Sequence, residues 1–315
     1  MLKSSLPKIY RKTLLYKSGV EYADYSLNHI EGCSHGCRYP CYAMMMKKRC
    51  GIIKNYQEWI KPKIVANALE ILDKEIPKLK HKIKYVHLCF TTDPLMYKQP
   101  EISKLTLKII AKLNQNNIPC TILTKGIYPK ELLDINKYSS TNEYGITLVS
   151  LADGFKTKFE PYSAPFEERI NGLRRLHDAG LKTWVSMEPY PTPDLVKQNL
   201  TALLSKISFV NKIIFGKLNY NTKSTQFRYS KNFYDSCADI VSSFCHKRGI
   251  DSHIKFGTRT KKSYLDKVSN TKNIFNEEKF VVDREIIQTK LPSLLYRSPF
   301  EVYPHERRVR RLLSL

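Results

Sequence analysis

The first twenty residues hold no continuous apolar run, only short apolar stretches broken by Lys3, Lys8, Arg11, Lys12 and Lys17. A spanning helix needs about 20 consecutive apolar residues and a secretory leader needs an apolar centre. Neither is expected here, which places the chain in the cytoplasm with no membrane partner. Internal repeats, low-complexity tracts and obvious flexible linkers are also missing, so neither a repeat array nor a tethered string of modules is expected. Acidic residues are scarce beside basic ones: 29 Asp plus Glu against 53 Lys plus Arg, a formal net charge of +24. Such an excess attracts polyanions and makes nucleic acid a candidate partner. The basic residues are densest at Lys74 to Lys84, at Lys247 to Lys262 and at Arg307, Arg308, Arg310 and Arg311. None of these forms a recognition motif, and a solvated lysine-rich surface is the competing explanation.

With 315 residues, 42% of them hydrophobic, the chain can bury one large core or two modest ones. From about Tyr25, short β-rich runs alternate with stretches of helical period, the pattern of parallel strands joined by crossover helices. Strands are expected at Tyr25 to Ile30, Ile83 to Phe90, Pro119 to Leu123, Tyr144 to Leu151, Lys182 to Met187, Lys212 to Phe215 and Ser252 to Phe256. Several are nearly continuous apolar runs, as strands covered on both faces should be. Helical stripes run through Val65, Leu69, Leu72 and Ile76, through Leu105, Ile109 and Leu113, and through Ile170, Leu173 and Leu176 before Gly180. A fourth joins Phe233, Cys237, Ile240, Val241 and Phe244 and ends near Gly249, so Cys237 and the nearby Cys245 are expected to be core thiols. About six βα units fall short of the eight that close a full barrel, and the chemistry is expected at the carboxyl ends of the strands.

Eight cysteines in a reducing compartment are more often thiols or metal ligands than disulfides. Three of them, Cys33, Cys37 and Cys41, stand close together where the first strand breaks into a glycine-bearing turn. No fourth cysteine is placed to complete the set. Three thiolates can hold three irons of a four-iron cluster and leave the fourth iron open. A zinc site completed by Cys50 or His35 is the alternative on spacing alone. Polar residues recur at the same strand ends: Cys89-Phe90-Thr91-Thr92-Asp93-Pro94, Thr124-Lys125-Gly126, Ser150, Glu188-Pro189 and Gly216-Lys217-Leu218-Asn219. Any one of these could be a cap or a turn. Their repetition at one edge points to a ligand.

Gly32-Cys33-Ser34-His35-Gly36-Cys37, with Thr92-Asp93-Pro94, Thr124-Lys125-Gly126, Phe159-Glu160-Pro161, Glu168-Arg169 and Leu176-His177-Asp178-Ala179-Gly180-Leu181 leading into Glu188-Pro189, resembles the radical S-adenosylmethionine (radical SAM) superfamily. Within it, the segments are similar to the spore photoproduct lyase branch, over roughly residues 24 to 258. The resemblance implies an α/β fold, a partial (β/α)6 barrel at 24-260 with a basic N-terminal extension at 1-23 and a basic C-terminal extension at 261-315. It implies that Cys33, Cys37 and Cys41 ligate a 4Fe-4S cluster, that S-adenosylmethionine binds its open iron, and that reduction yields a 5′-deoxyadenosyl radical. By the same resemblance Thr92 and Asp93 contact the methionine amino group, Tyr39 lies near the adenine, and Lys125, Ser150 and Glu188 stand near the cofactor. A reducing partner such as flavodoxin or ferredoxin is implied as well.

Two departures stand out. The cysteines are spaced by three and three residues rather than three and two, with Pro40 as the insertion. The lyase also uses a further cysteine as hydrogen donor. Cys89, four residues before Asp93, is the nearest candidate catalytic residue, displaced by one position in a strand where one position turns a side chain over. A core thiol is the competing reading of Cys89, so repair of a DNA lesion does not carry over with the resemblance; the basic charge still puts a nucleic-acid substrate ahead of a peptide, protein or small metabolite, and ahead of a non-catalytic zinc protein that binds nucleic acid.

Overall fold

The structure, a computed structural model, describes residues 6–19 and 23–260. The arginine run at Arg307 to Arg311 and the expected C-terminal extension lie outside the described residues. In chain order the elements are β1 (Lys8–Ile9), β2 (Leu15–Lys17), β3 (Tyr25–Leu27), β4 (Ile30–Glu31), α1 (Tyr42–Arg49), α2 (Tyr56–Trp59), β5 (Lys63–Val65), α3 (Ala68–Leu79), β6 (Val86–Leu88), α4 (Pro100–Asn114), β7 (Cys120–Thr124), β8 (Glu143–Thr147), α5 (Asp153–Phe159), α6 (Phe166–Asp178), β9 (Lys182–Tyr190), α7 (Leu200–Lys206), β10 (Lys212–Lys217), α8 (Thr222–Gln226), α9 (Ser230–Arg248) and β11 (Asp251–Ile254).

Eight strands form the main sheet in the order β11-β10-β9-β8-β7-β6-β3-β2. Seven of them, β3 and β6 to β11, run parallel, and β2 adds an antiparallel edge. Among the described residues no pairing joins β11 to β2, so the sheet is an open (β/α)6-type partial barrel. The core-facing side of the central strands is apolar: Val86 and Leu88 in β6, Ile122 in β7, and Ile213 and Phe215 in β10 are fully buried. Helices cover them as crossover connections require. Apolar stripes from α4 (Ile109, Leu113), α6 (Ile170, Leu173, Leu176) and α9 (Cys237, Val241, Phe244) pack into one core with these strands. Gly180, at φ +80°, ends α6: its N–H reaches the His177 carbonyl at 2.8 Å and the Leu181 N–H reaches Leu176 at 3.1 Å. That is the left-handed helix stop which the glycine foretells.

Three local expectations need correction. The first strand is not continuous to Ile30: the chain breaks at Asn28-His29, and β4 joins a separate sheet of order β1-β5-β4. Val65 belongs to β5 of that sheet rather than to the stripe of α3, because the run from Lys63 pairs with Ile30 and Glu31 before any helix begins. The connection from β7 to β8 carries only a 3-10 turn at Lys130–Leu133, not an α-helix. None of the described helices is long and apolar enough to cross a membrane.

Candidate active site

The cysteine loop is held from both sides. It leaves β4, and Cys33 N–H donates to the Trp59 carbonyl at 2.8 Å, while Arg38 N–H donates to the Phe159 carbonyl at 2.8 Å beyond it. At Gly36 the backbone is left-handed, φ +59°, and a Cβ would come within 2.6 Å of the Tyr56 hydroxyl and 2.8 Å of the Tyr162 ring. Only glycine fits there. Cys41 is the N-cap of α1. With Pro40 inserted, all three sulfur-bearing residues still line one cavity of about 420 Å³.

That cavity lies over the carboxyl ends of the parallel strands. Cys89 to Asp93 after β6, Lys125 after β7, Thr147 in β8, Ser186 and Glu188 in β9, Lys217 in β10 and Lys255 after β11 all reach it. Tyr39, Thr92, Asp93, Lys125 and Glu188 are thus brought together with the cysteines, and Ser150 is not. Ser150 is fully buried off the cavity, and its hydroxyl accepts from the Ala152 N–H at 3.1 Å. It is a turn residue.

The carboxylate of Asp93 is saturated by the protein itself. Its Oδ1 accepts from the Thr124 hydroxyl at 2.7 Å and the Leu95 N–H at 2.9 Å; its Oδ2 accepts from the Lys125 N–H at 2.7 Å. His35 Nδ1 faces Oδ2 at 3.3 Å, and His35 Nε2 accepts from the Tyr97 N–H at 2.9 Å, which leaves the ring proton on Nδ1. Burial pushes the Asp93 carboxyl up, but the facing His35 and the donated hydrogen bonds outweigh it and hold the group below its ordinary value. Asp93 therefore ties the cysteine loop, through His35, to the ends of β6 and β7. Thr92 is the opposite case. Its hydroxyl is buried without a hydrogen-bond partner in the chain, although it lies near enough to the Cys89 thiol to interact with it.

Tyr39 is buried, with its ring stacked on Phe155 and its hydroxyl donating to Glu160 Oε1 at 2.8 Å. Glu160 is in turn paired with Arg169 at 2.8 Å, both fully buried. The Lys125 ammonium stands 5.7 Å from the centre of the Tyr39 ring. Burial disfavours that charge, yet Cys37 and Glu160 more than compensate and Lys125 is held above its ordinary value. At the other side, Glu188 pairs with Lys255 at 3.0 Å.

Cys89 sits at φ +58° with its sulfur 3.4 Å from His29 Nδ1. The Thr106 hydroxyl donates to the Pro94 carbonyl at 2.6 Å, so it accepts from His29 Nε2–H at 2.7 Å, and the thiol donates to the remaining Nδ1 lone pair. Burial lifts the thiol to about 12, and burial with the Arg11 charge drops His29 to about 3. A thiol so placed keeps its hydrogen at neutral pH, which suits transfer of a hydrogen atom better than nucleophilic attack.

A family model described as the radical SAM superfamily matches residues 27–200, more than half the chain. The chain belongs to the radical SAM superfamily. It is 28% identical over 253 residues to the uncharacterized protein MJ0683 of Methanocaldococcus jannaschii, covering 80% of this chain and 93% of that one. The uncharacterized protein ORF301 of Acidianus two-tailed virus is 26% identical over 199 residues, 60% of this chain and 64% of its own. Among solved structures, spore photoproduct lyase complexed with dinucleoside spore photoproduct aligns at a TM-score of 0.58 and 16% identity, covering 79% of this chain and 81% of the lyase. A lyase double mutant with bound AdoMet and the same dinucleoside aligns at 0.57 and 14% identity, covering 78% and 80%. These structures share the fold.

The radical SAM family implies a 4Fe-4S cluster and S-adenosylmethionine, and the donors present fit both. No group of three or more His, Cys, Asp and Glu among the described residues is arranged to grip a single metal ion. Cys50 is exposed at the end of α1 and off the cavity, and both nitrogens of His35 are engaged, so neither residue is placed to complete a zinc site. A four-iron cluster sets a different requirement, since each thiolate takes its own iron rather than converging on one point. Cys33, Cys37 and Cys41 around one cavity meet it. The orphaned Thr92 hydroxyl is the vacancy that a polar cofactor group would fill.

Sequence reasoning passed over several residues of this cavity. His87, Tyr42, Tyr220 and Lys255 line it. A histidine inside the apolar run of β6 was the available signal for the first: His87 is buried, bonded to the Thr121 hydroxyl at 2.7 Å, and lowered by burial to about 4. Tyr42 adjoins Cys41 in the chain. Tyr220 and Lys255 are close to it only in space.

Proposed function

We propose that this radical SAM protein is an enzyme that cleaves S-adenosylmethionine reductively and abstracts a hydrogen atom from a nucleic-acid substrate, in repair or modification. The observation that carries the chemistry is the placement of Cys33, Cys37 and Cys41 on one cavity at the carboxyl edge of the sheet; Cys89, the other thiol that lines it, is hydrogen-bonded to His29 instead. When bound, the reduced cluster and S-adenosylmethionine together supply a 5′-deoxyadenosyl radical. The residues of this chain bind, orient and shield. Thr92 offers its unsatisfied hydroxyl to the cofactor, Tyr39 offers an aromatic edge held by Glu160, and Lys125 offers a positive charge. Asp93 acts by fixing the loop rather than by direct contact. Cys89 holds an S–H at the cavity floor, ready to return a hydrogen atom to a substrate radical. The electron comes from a reductant of the flavodoxin or ferredoxin kind.

Support for nucleic acid comes from the +24 charge, from the lysines on the cavity and from the fold shared with a lyase solved with a dinucleoside. The test is anaerobic purification with iron and sulfide analysis, followed by reduction with S-adenosylmethionine and assay for 5′-deoxyadenosine. Cys33→Ala, Cys37→Ala and Cys41→Ala should each abolish iron binding and 5′-deoxyadenosine release, while Cys237→Ala, in the core of α9, should leave both intact. Equal loss in all four overturns the assignment. Turnover with a peptide or small metabolite but not with DNA or RNA moves the substrate class and keeps the chemistry.

A further inference from the structure

Two tyrosines face one another at the cavity mouth from distant parts of the chain. Tyr42 opens α1 directly after Cys41, and Tyr220 follows β10. Both line the cavity and both are solvent-exposed, at 41% and 58%. Their rings stack at 28° with centroids 6.5 Å apart. That separation is near the outer limit for a direct ring pair. A flat ring inserted between them needs about 7 Å from one ring plane to the other, twice the roughly 3.5 Å carbon contact distance, so the two rings part to admit one. Tyr220 also adopts φ +63°, a left-handed conformation that a bulky residue takes only where its surroundings demand it. Lys217, three residues earlier, lines the same cavity and is half-buried, and burial lowers its ammonium.

We propose that Tyr42 and Tyr220 form a stacking clamp that takes one unpaired nucleobase into the mouth of the cavity, with Lys217 contributing positive charge toward the adjoining phosphate. The inference rests on the nucleic-acid reading above and narrows it: a base still in a duplex cannot enter between two rings, so the substrate is single-stranded or presents a base swung out of the stack. Every base has a π-face, so the clamp by itself reads flatness rather than sequence.

The test is fluorescence anisotropy with a labelled single-stranded oligodeoxynucleotide and its duplex, using the full chain purified anaerobically with its cluster. The wild type should prefer the single strand. Tyr220→Gly removes the ring and suits the left-handed backbone, so its melting temperature should not fall; single-strand affinity should drop about tenfold while duplex affinity barely moves. Tyr220→Phe should restore the loss. Tyr42→Ala, on the opposite jaw, should give a similar drop. Unchanged single-strand affinity in Tyr220→Gly and Tyr42→Ala overturns the clamp, as does a wild type that prefers the duplex. Release of 5′-deoxyadenosine by the wild type in the same preparations tests the enzyme reading separately: cleavage with no effect of the tyrosine variants sinks the clamp alone, and no cleavage with a clear effect sinks the enzyme reading alone.

Discussion

Thr92 and Asp93 are neighbours that the sequence presents as a pair, and the structure gives them different work. Four groups of the chain point at the Asp93 carboxylate, whereas the Thr92 hydroxyl has no hydrogen-bond partner. A buried unsatisfied hydroxyl costs about 1–3 kcal/mol, so Thr92→Val should leave the apoprotein as stable as before, or more so by on the order of 1 kcal/mol, while weakening S-adenosylmethionine binding several-fold. Asp93→Asn should behave in the reverse order. An amide cannot accept at both ends, so the Lys125 N–H or the Thr124 hydroxyl loses its acceptor; stability should fall by about 1–3 kcal/mol, and iron content should fall with it as the His35 tether loosens. Thermal melting and calorimetric titration of each variant decide this. If Asp93→Asn keeps its melting temperature and loses only cofactor affinity, Asp93 is a ligand and not a tether. Their place at a strand end and the family resemblance marked both positions as candidates. Which of them is already occupied depends on the fold of the loops after β6 and β7, and no spacing rule contains it.

At the scale of elements, strand and helix periodicity was legible wherever packing enforces it. The seven expected strands all appear as the seven parallel strands of the sheet, because most are apolar runs packed into the core; β11, Asp251–Ile254, is the partly exposed edge. What misled was local competition. The run from Tyr25 to Ile30 looks uniform, yet Asn28 and His29 turn away to bond Thr91 and Thr106, and the strand splits between two sheets. The helical stripe could not show that Val65 is claimed by β5. One buried contact joins two helices and the cysteine loop: Glu160 ends α5, Arg169 lies in α6, and Tyr39 hangs from the same carboxylate. Burial raises the Glu160 carboxyl, but Arg169 and Lys125 hold it below its ordinary 4.5. A carboxyl depressed on folding adds stability that is present above its unfolded value and lost as the pH falls through the folded value. This contribution should therefore be intact at neutral pH and disappear only below about pH 4.5. Glu160→Gln leaves Arg169 buried without its counter-charge and should cost about 3–5 kcal/mol at pH 7, with a smaller penalty in acid. A denaturant titration of both proteins at pH 7 and in acid measures it; a penalty independent of pH would mean the carboxyl is neutral in the folded protein.

Net charge is a whole-molecule property, and the topology separates it into regions of different consequence. The run through Lys80, Lys82 and Lys84 leads into β6 from its amino end, and Lys247 and Arg248 lead into β11 in the same way. The cavity lies at the carboxyl ends, where Lys125, Lys217 and Lys255 stand. Of these, Lys255 is paired with Glu188. The sequence displays the excess of 24 charges but not that the lysines from 80 to 84 and the pair Lys247 and Arg248 lie at the end of the strands opposite the cysteine loop. Every lysine adds to long-range attraction, yet only those that meet a phosphate release a counterion and steepen the salt dependence, by about 0.9 in the log–log slope per duplex contact or 0.7 on a single strand. Replacing Lys80, Lys82 and Lys84 together by Gln removes three charges, and replacing Lys217 by Gln removes one. If the substrate strand runs over the cavity, the triple variant should keep the wild-type slope on a single-stranded oligonucleotide and the single variant should lower it by about 0.7. Anisotropy titrations across 50 to 200 mM salt resolve that difference. A slope that follows the number of lysines removed, wherever they sit, would make the binding a property of the solvated surface and deny the cavity any part in holding the strand.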